Sequence, residues 1–171
     1  MSELKKLIRD IPDFPKKGIL FKDITTILND KKAFPSAIDQ LAGLIADKDI
    51  DYVVAAESRG FIFGAALAYK LGCGFVPVRK PGKLPAKTYR HTYALEYGED
   101  SLEIHQDAFP AGAKILILDD LLAIGGTASA MIELVKKLNG EITAIAFLIE
   151  LTFLKGKEKL AGYPVYSLIK Y

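Results

Sequence analysis

The sequence predicts an α/β fold, a central, mainly parallel sheet flanked by helices. Four apolar runs, residues 52–56, 75–78, 115–118 and 142–149, are short and lack apolar–polar alternation, the pattern of strands buried on both faces in a parallel sheet. Segments of helical period separate them. Strands alternating with helices join through right-handed crossovers into one parallel layer.

Taken in order, Leu4, Leu7, Ile8 and Ile11 keep the i, i+3, i+4, i+7 spacing of one helix face, and Pro12 and Pro15 then stop that helix. Phe34, Ile38, Leu41 and Ile45 repeat the spacing and predict a second helix to about Asp47. The first buried strand, 52–56, follows. Residues 60–71 are apolar all round and end at Gly72, which suits a helix buried in a core or a subunit contact. After the strand at 75–78, two prolines and a glycine in residues 80–85 (KPGKLP) break regular structure and open a mobile loop. Residues 88–95, rich in Thr and Tyr, are expected to pair as a hairpin with 101–105 across Tyr97-Gly98-Glu99-Asp100. Beyond the strand at 115–118, Ala128, Met131, Ile132, Val135 and Leu138 mark a helix capped by Gly140. The strand at 142–149, a short Lys-rich helix near 154–160 and a last strand at 165–169 complete the chain. No repeat or linker divides it, so one domain over 1–171 is expected.

Composition excludes several classes. Lys and Arg number 23 and Asp and Glu 21, a net charge of +2 without any block of one sign, so there is no electrostatic footprint for nucleic acid or an anionic membrane. Half of the residues are apolar, enough for a core and too many for a disordered or collagenous chain. A single cysteine, Cys73, excludes an intramolecular disulfide, and with only His91 and His105 beside it no zinc spacing exists. Residues 1–14 lack an apolar signal core, and the longest apolar stretch, 60–69, falls well short of the ~20 residues of a membrane span. A cytoplasmic protein without nucleic-acid or membrane partners is expected.

The segment Ile115-Leu-Ile-Leu-Asp-Asp-Leu-Leu-Ala-Ile-Gly-Gly-Thr127 carries the chemistry. It places Asp119 and Asp120 at the carboxyl end of a buried strand, where ligands bind in open α/β sheets. Gly125-Gly126-Thr127 then opens a helix whose unpaired N–H groups and positive dipole end suit a phosphate. The glycines admit close backbone approach, and the Thr127 hydroxyl adds a bond or caps the helix. The plain alternative is a polar strand end followed by a turn that binds nothing.

Two carboxylates before a Gly-Gly-Thr helix start resemble the phosphoribosyl-pyrophosphate signature of type I phosphoribosyltransferases. Phe14-Pro-x-x-Gly18, Phe21-Lys-Asp-Ile24, Glu57-Ser-Arg-Gly-Phe61, Arg79-Lys-x-Gly-Lys-Leu-Pro85, Tyr93-x-Leu-Glu-Tyr-Gly98 and Glu150-Leu-Thr to Lys159-Leu extend the likeness over nearly the whole chain. They are similar to the adenine phosphoribosyltransferase family. That resemblance implies an N-terminal hood over residues 1–30 and a flexible lid over 80–105. The implied reaction joins adenine to 5-phosphoribosyl 1-pyrophosphate, giving AMP and pyrophosphate, in a homodimer with Mg²⁺ as cofactor. No direct protein ligand to the metal is expected. The substrate would hold it, and Asp119 and Asp120 would reach it through water or bind the ribose hydroxyls.

The same resemblance assigns the remaining roles. Glu96 faces nitrogen 7 of adenine and exchanges a proton with it, Tyr97 helps to close the lid, and both count with Asp119 and Asp120 as catalytic. Ala123, Ile124, Gly125, Gly126 and Thr127 hold the phosphate; Arg59, Arg79, Lys80 and Lys83 hold pyrophosphate, one such residue coming from the partner subunit. Leu20, Phe21, Arg59 and Leu121 surround adenine. The peptide between Glu57 and Ser58 is expected to be cis. Read locally, Glu96 fits an exposed turn acid better than a catalytic group, Tyr93 is a strand residue, and Lys80 and Lys83 are as well explained by a solvated loop. One position departs from the family's Ala-Thr-Gly-Gly-Thr: Ile124 stands where a hydroxyl would reach the phosphate. Backbone donors and Thr127 remain, so weakened binding is expected. The rival readings are a phosphoribosyl-pyrophosphate-binding regulator, for which the chain has neither a spare DNA-binding segment nor a basic stripe, and a transferase for another base.

Overall fold

The computed structural model describes residues 3–94 and 99–171. It opens with α1 (Glu3–Leu7), β1 (Arg9–Pro12), β2 (Leu20–Asp23), α2 (Thr25–Leu28) and α3 (Ala33–Leu44). The middle of the chain forms β3 (Tyr52–Ala56), α4 (Arg59–Leu71), β4 (Gly74–Val78), β5 (Thr88–Ala94) and β6 (Glu99–His105). Then come β7 (Lys114–Leu122), α5 (Gly126–Lys137), β8 (Glu141–Glu150), two 3-10 turns (Thr152–Leu154 and Gly156–Leu160) and β9 (Val165–Lys170). The central sheet is wholly parallel, in the order β4-β3-β7-β8-β9. β1 and β2 form one antiparallel pair and β5 and β6 another.

Alternation within the buried strands builds two cores. Leu116 and Leu118 of β7 pack with Phe63 and Leu67 of α4 and with Ile38 and Leu41 of α3. Ile115 and Ile117 pack on the other face with Met131, Leu134 and Val135 of α5. Successive strand side chains point to opposite faces, so a strand covered on both sides must be apolar at every position, as the sequence has it. Leu102 and Ile104 of β6 join the α5 layer and root the hairpin there.

Helix α4 turns Gly60, Phe63, Gly64, Leu67 and Ala68 inward. A Cβ at Gly64 would lie 2.8 Å from that of Ala55, so glycine lets the helix settle directly on β3. Its outward side leaves Ile62 and Tyr69 exposed; the apolar helix is therefore buried along one face and not all round.

Several boundaries differ from the expectation. The first helix ends at Leu7, and Ile11 belongs to β1, whose register runs from Arg9↔Asp23 to Pro12↔Leu20. The helical spacing was shared by a turn and a half of helix and the strand after it, and the short strand β2 (LFKD) carries no alternation that would reveal it. The second helix stops at Leu44 instead of Asp47. Strand β7 continues through both aspartates, because Asp119↔Phe147 and Leu121↔Ile149 stay paired with β8. Helix α5 ends at Lys137 with Asn139, at φ 57°, in the left-handed conformation. Gly140 serves packing: a Cβ there would lie 2.8 Å from the Phe109 ring and from Val135. The Lys-rich helix near 154–160 is a pair of 3-10 turns. Among the described residues no helix is long and apolar enough to cross a membrane.

Candidate functional site

Asp119 and Asp120 lie in the last turn-ward part of β7, under the start of α4. Asp119 Oδ1 accepts the Asp120 N–H at 2.9 Å. A Cβ at Gly60 would stand 2.8 Å from that same oxygen, so the first turn of α4 passes directly over the carboxylate. Asp120 is buried, with Oδ2 2.9 Å from Arg59 Nε. The pair is ionic by distance but not aligned as a hydrogen bond, and among the described residues Oδ2 has no hydrogen-bond partner. Burial, and after it the charge of Asp120, push the Asp119 carboxyl well above the usual carboxylate range. Burial raises Asp120 too, against the opposing charge of Arg59.

A cavity of about 410 Å³ opens above the pair, between Glu57, Ser58 and Arg59 on one side and Leu121, Ala123 and Thr127 on the other. Beside it the turn 123–127 lines a smaller hollow of about 90 Å³. Gly125 holds φ 82° at the N-terminus of α5, and a Cβ there would meet the Gly156 carbonyl at 2.6 Å, so both the conformation and the space demand glycine. The first N–H groups of α5 have no intrahelical partner and face this turn. Ile124 is 41% exposed and lines the hollow without entering the core.

The basic residues are gathered by carboxylates. Glu57, at the end of β3, takes Arg79 Nε and Nη2 on Oε2 at 3.0 and 2.9 Å. Its Oε1 takes the Lys80 N–H at 2.7 Å and stands 3.1 Å from Lys83 Nζ. Burial alone would raise this carboxyl, but the Lys80, Lys83 and Arg79 contacts outweigh it and hold the group below its ordinary value. Lys80 Nζ donates to Asp100 of β6, which also accepts the Tyr93 hydroxyl at 3.2 Å. The Tyr93 ring lies against Gly126, where a Cβ would be 3.3 Å away. From the β1–β2 hairpin, Phe21 places its ring 4.9 Å from the Arg59 guanidinium and packs edge-on against Phe14 at 5.1 Å. The Glu57–Ser58 peptide is cis, as expected.

Residues 24–166 match the family described as the phosphoribosyl transferase domain. An adenine phosphoribosyltransferase of Thermotoga neapolitana is 60% identical over 169 residues, covering 99% of either chain. The chain belongs to the adenine phosphoribosyltransferase family. A crystal structure of the Thermoanaerobacter pseudethanolicus enzyme superimposes with a TM-score of 0.97 at 58% identity, covering 99% of this chain and 98% of that one. The Saccharomyces cerevisiae enzyme, crystallised with an iminoaltritol bisphosphate and adenine, superimposes at 0.91 with 45% identity, covering 97% and 96%.

In this adenine phosphoribosyltransferase fold the sequence-predicted residues fall into three groups. Asp119, Asp120, Arg59, Leu121, Ala123 and Thr127 line the larger cavity, and Ile124, Gly125 and Gly126 the adjoining hollow. Arg79, Lys80 and Lys83 stand on the loop beside Glu57, with Arg79 Nη1 also tied to the Lys83 carbonyl at 3.1 Å. Phe21 reaches Arg59, whereas Leu20 is half exposed and is not among the residues lining the cavity. Glu96 and Tyr97 lie outside the described residues. Sequence reasoning passed over Glu57, Asp100 and the contact of Tyr93 with the glycine turn at Gly126. Glu57 carried a signal, since like Asp119 it directly follows a buried apolar run in the sequence. Asp100 carried none, because Lys80 is remote from it in the chain, and Tyr93 stood in a family-like motif that gave no sign of its contact with Gly126.

Among the described residues no group of three or more His, Cys, Asp or Glu could form a metal cage. The donor set nevertheless suits Mg²⁺: only carboxylate oxygens, one of them buried without a hydrogen-bond partner, beside a cavity able to admit further oxygen ligands from a substrate.

Proposed function

We propose that this protein transfers the 5-phosphoribosyl group of 5-phosphoribosyl 1-pyrophosphate to nitrogen 9 of adenine, giving AMP and pyrophosphate. The observation that carries the reading is one cavity bounded at once by the acidic pair, Arg59 and the residues Ala123 and Thr127 that flank the glycine turn, within a chain of the adenine phosphoribosyltransferase family. As pyrophosphate departs, positive charge grows on the ribose, and fixed carboxylates beside it lower the barrier because they need no reorganisation. Asp119 and Asp120 fill that role and bind the ribose hydroxyls. Residues 123–127 take the 5′-phosphate on the N-terminus of α5. Arg59, Lys80 and Lys83 neutralise the leaving group, with Arg79 holding the loop of the two lysines, and Arg is suited to bidentate phosphate contacts.

Adenine lies between Phe21 and Leu121, with Leu20 at its rim. Glu96 exchanges a proton with nitrogen 7, a general acid–base contribution of roughly 10²- to 10⁴-fold, and Tyr97 closes the lid of residues 80–105 over the site. Mg²⁺ bound with the sugar diphosphate supplies charge neutralisation at the pyrophosphate, and Asp119 and Asp120 would hold it through water. A homodimer is supported by the exposed Ile62 and Tyr69 on the outward side of α4, and a cytoplasmic site of action by the single cysteine. The test is AMP and pyrophosphate formation with adenine, hypoxanthine and guanine, each with 5-phosphoribosyl 1-pyrophosphate and Mg²⁺. Turnover with adenine and far slower reaction with the other two is expected; equal rates, or none with adenine at saturation, would overturn the reading. Light scattering at micromolar concentration tests the dimer, which a fully active monomer would exclude.

A further inference from the structure

Beyond the apolar packing of Leu4, Ile8, Ile24 and Ile27 in the core, one aromatic ring ties the charged side chains of the hood to the end of the sheet. Tyr171 follows β9, and its ring has the Lys22 ammonium 3.8 Å from the centroid and the Lys5 ammonium 4.1 Å from it. Lys22 is 6% exposed, an unusual burial for lysine, and its ammonium donates to Asp10 Oδ1 at 2.7 Å. Lys5 Nζ also donates to the Lys170 carbonyl. All three charged residues belong to the N-terminal segment, whereas the ring belongs to the sheet.

The ring's backbone is fixed in turn. The Tyr171 N–H donates to the Glu150 carbonyl at 3.0 Å. Its backbone oxygen accepts from the Thr152 N–H at 2.9 Å and the Thr152 hydroxyl at 2.5 Å. The adjoining Leu151 N–H binds the Leu122 carbonyl at 2.9 Å, at the end of the strand that carries Asp119 and Asp120. An unbroken set of backbone bonds therefore runs from the acidic strand to the ring, and cation–π contact carries it on to Lys22, the residue next to Phe21. Desolvated cation–π pairs are stronger than exposed ones, and here one of the two cations is buried.

We propose that Tyr171 is a positioning residue for the base: gripped between Lys5 and Lys22, it sets the height of the β1–β2 hairpin, and so of Phe21, over the ribose site. The proposal rests on the reading of the hood as the adenine site. If the hairpin must be docked for adenine to bind, the apparent affinity for adenine falls in proportion to the docked fraction. Contacts to phosphate and ribose, made by β7 and α5, stay as they are.

The experiment compares Tyr171→Ala, Tyr171→Phe and the double variant Lys5→Met, Lys22→Met in the full chain. KM is measured for adenine and for 5-phosphoribosyl 1-pyrophosphate, and amide exchange is followed over residues 9–23. Tyr171→Ala and the double variant are expected to raise KM for adenine about tenfold, with KM for the sugar diphosphate within about twofold and faster exchange in 9–23. Tyr171→Phe keeps the ring face and restores parental values. The double variant retains the apolar stems, so it keeps the test valid if Tyr171→Ala folds poorly. Unchanged exchange, or equal rises in both KM values, overturns the positioning role. Faster exchange with an unmoved KM for adenine instead overturns the placement of the base against the hood.

Discussion

Replacing Glu57 by glutamine keeps the shape of the side chain and removes the charge that gathers the loop after β4. The carboxylate is 8% exposed and receives Arg79 twice, the Lys80 N–H and Lys83. An amide offers one acceptor oxygen, so whichever way it turns, either the Arg79 fork or the Lys80–Lys83 pair faces an NH₂ group. Losing two charge-assisted bonds would cost about 3 to 6 kcal/mol at 1.5 to 3 each. Arg79 and Lys83 are 35% and 50% exposed, however, and water recovers much of that loss, leaving roughly 2 kcal/mol. In a domain of this size that is a fall in Tm of about 4 to 8 °C. The loop carries Lys80 and Lys83, so KM for 5-phosphoribosyl 1-pyrophosphate should rise about tenfold while KM for adenine stays near parental. Steady-state pyrophosphate release at saturating adenine, with a thermal melt, measures both. A Glu57→Gln protein with KM for the sugar diphosphate within twofold of the parent would refute Glu57 as the organiser of that loop.

Gly60→Ala puts a Cβ 2.8 Å from Asp119 Oδ1, and the displaced carboxylate should lower kcat by roughly tenfold or more; parental kcat would show that the contact relaxes freely. Ile124→Thr adds a hydroxyl at a half-exposed position lining the hollow proposed to take the 5′-phosphate. The bond acts alike before and during displacement, so KM for 5-phosphoribosyl 1-pyrophosphate should drop about tenfold with kcat and Tm nearly constant; an unchanged or raised KM would count against a missing donor. Asp23 is held at about 2, below its ordinary 3.8, by the Thr25 hydroxyl, the Thr25 N–H and Arg9. A depressed carboxyl stabilises fully above its unfolded value and loses that contribution as pH falls from about 4 through 2, an effect of roughly 1 to 2 kcal/mol. Urea unfolding of parent and Asp23→Asn should therefore differ at pH 7 and converge toward pH 2; a constant gap would exclude the ionised carboxylate as the cause.

Strands β3, β7 and β8 of the central sheet were legible because burial on both faces forces unbroken apolar runs. The hood was not. Leu4, Leu7, Ile8 and Ile11 satisfy a helical period, yet Ile11 pairs with Phe21 across an antiparallel ladder. In β2 the buried residue is Lys22, a charged side chain on the inward face, which inverts the signal that alternation supplies. Gly140 illustrates another limit: a glycine after a helix reads as a left-handed cap, but here Asn139 holds the positive φ and glycine answers to the Phe109 ring. The acidic pair and the Gly125 turn were readable because their residues are adjacent in the chain. The groups that hold the basic loop were not, since Lys80 meets Asp100 and Arg79 meets Glu57 only through the fold.

That division bears on how the cations are to be interpreted. Arg59, Arg79, Lys80 and Lys83 each stand against a carboxylate: Asp120, Glu57, Asp100 and again Glu57. Glu57 and Asp120 are nearly buried, whereas the cations are a third to a half exposed. The two sides of these three pairs are therefore unequal. Truncating a half-exposed cation leaves behind a buried, uncompensated carboxylate, and that residual charge is the costly part. Alanine at Arg79 strips Glu57 of two donors, whereas alanine at Lys83 strips it of one and leaves the Arg79 fork and the Lys80 N–H in place. Lost affinity in Arg79→Ala then reports mainly the order of the loop, and lost affinity in Lys83→Ala mainly contact with the substrate. A pyrophosphate bound at these residues replaces carboxylates already in contact, so each cation contributes only the difference between phosphate and carboxylate. Affinity there depends on geometry, the bidentate fork of Arg and the reach of Lys, more than on the number of positive charges.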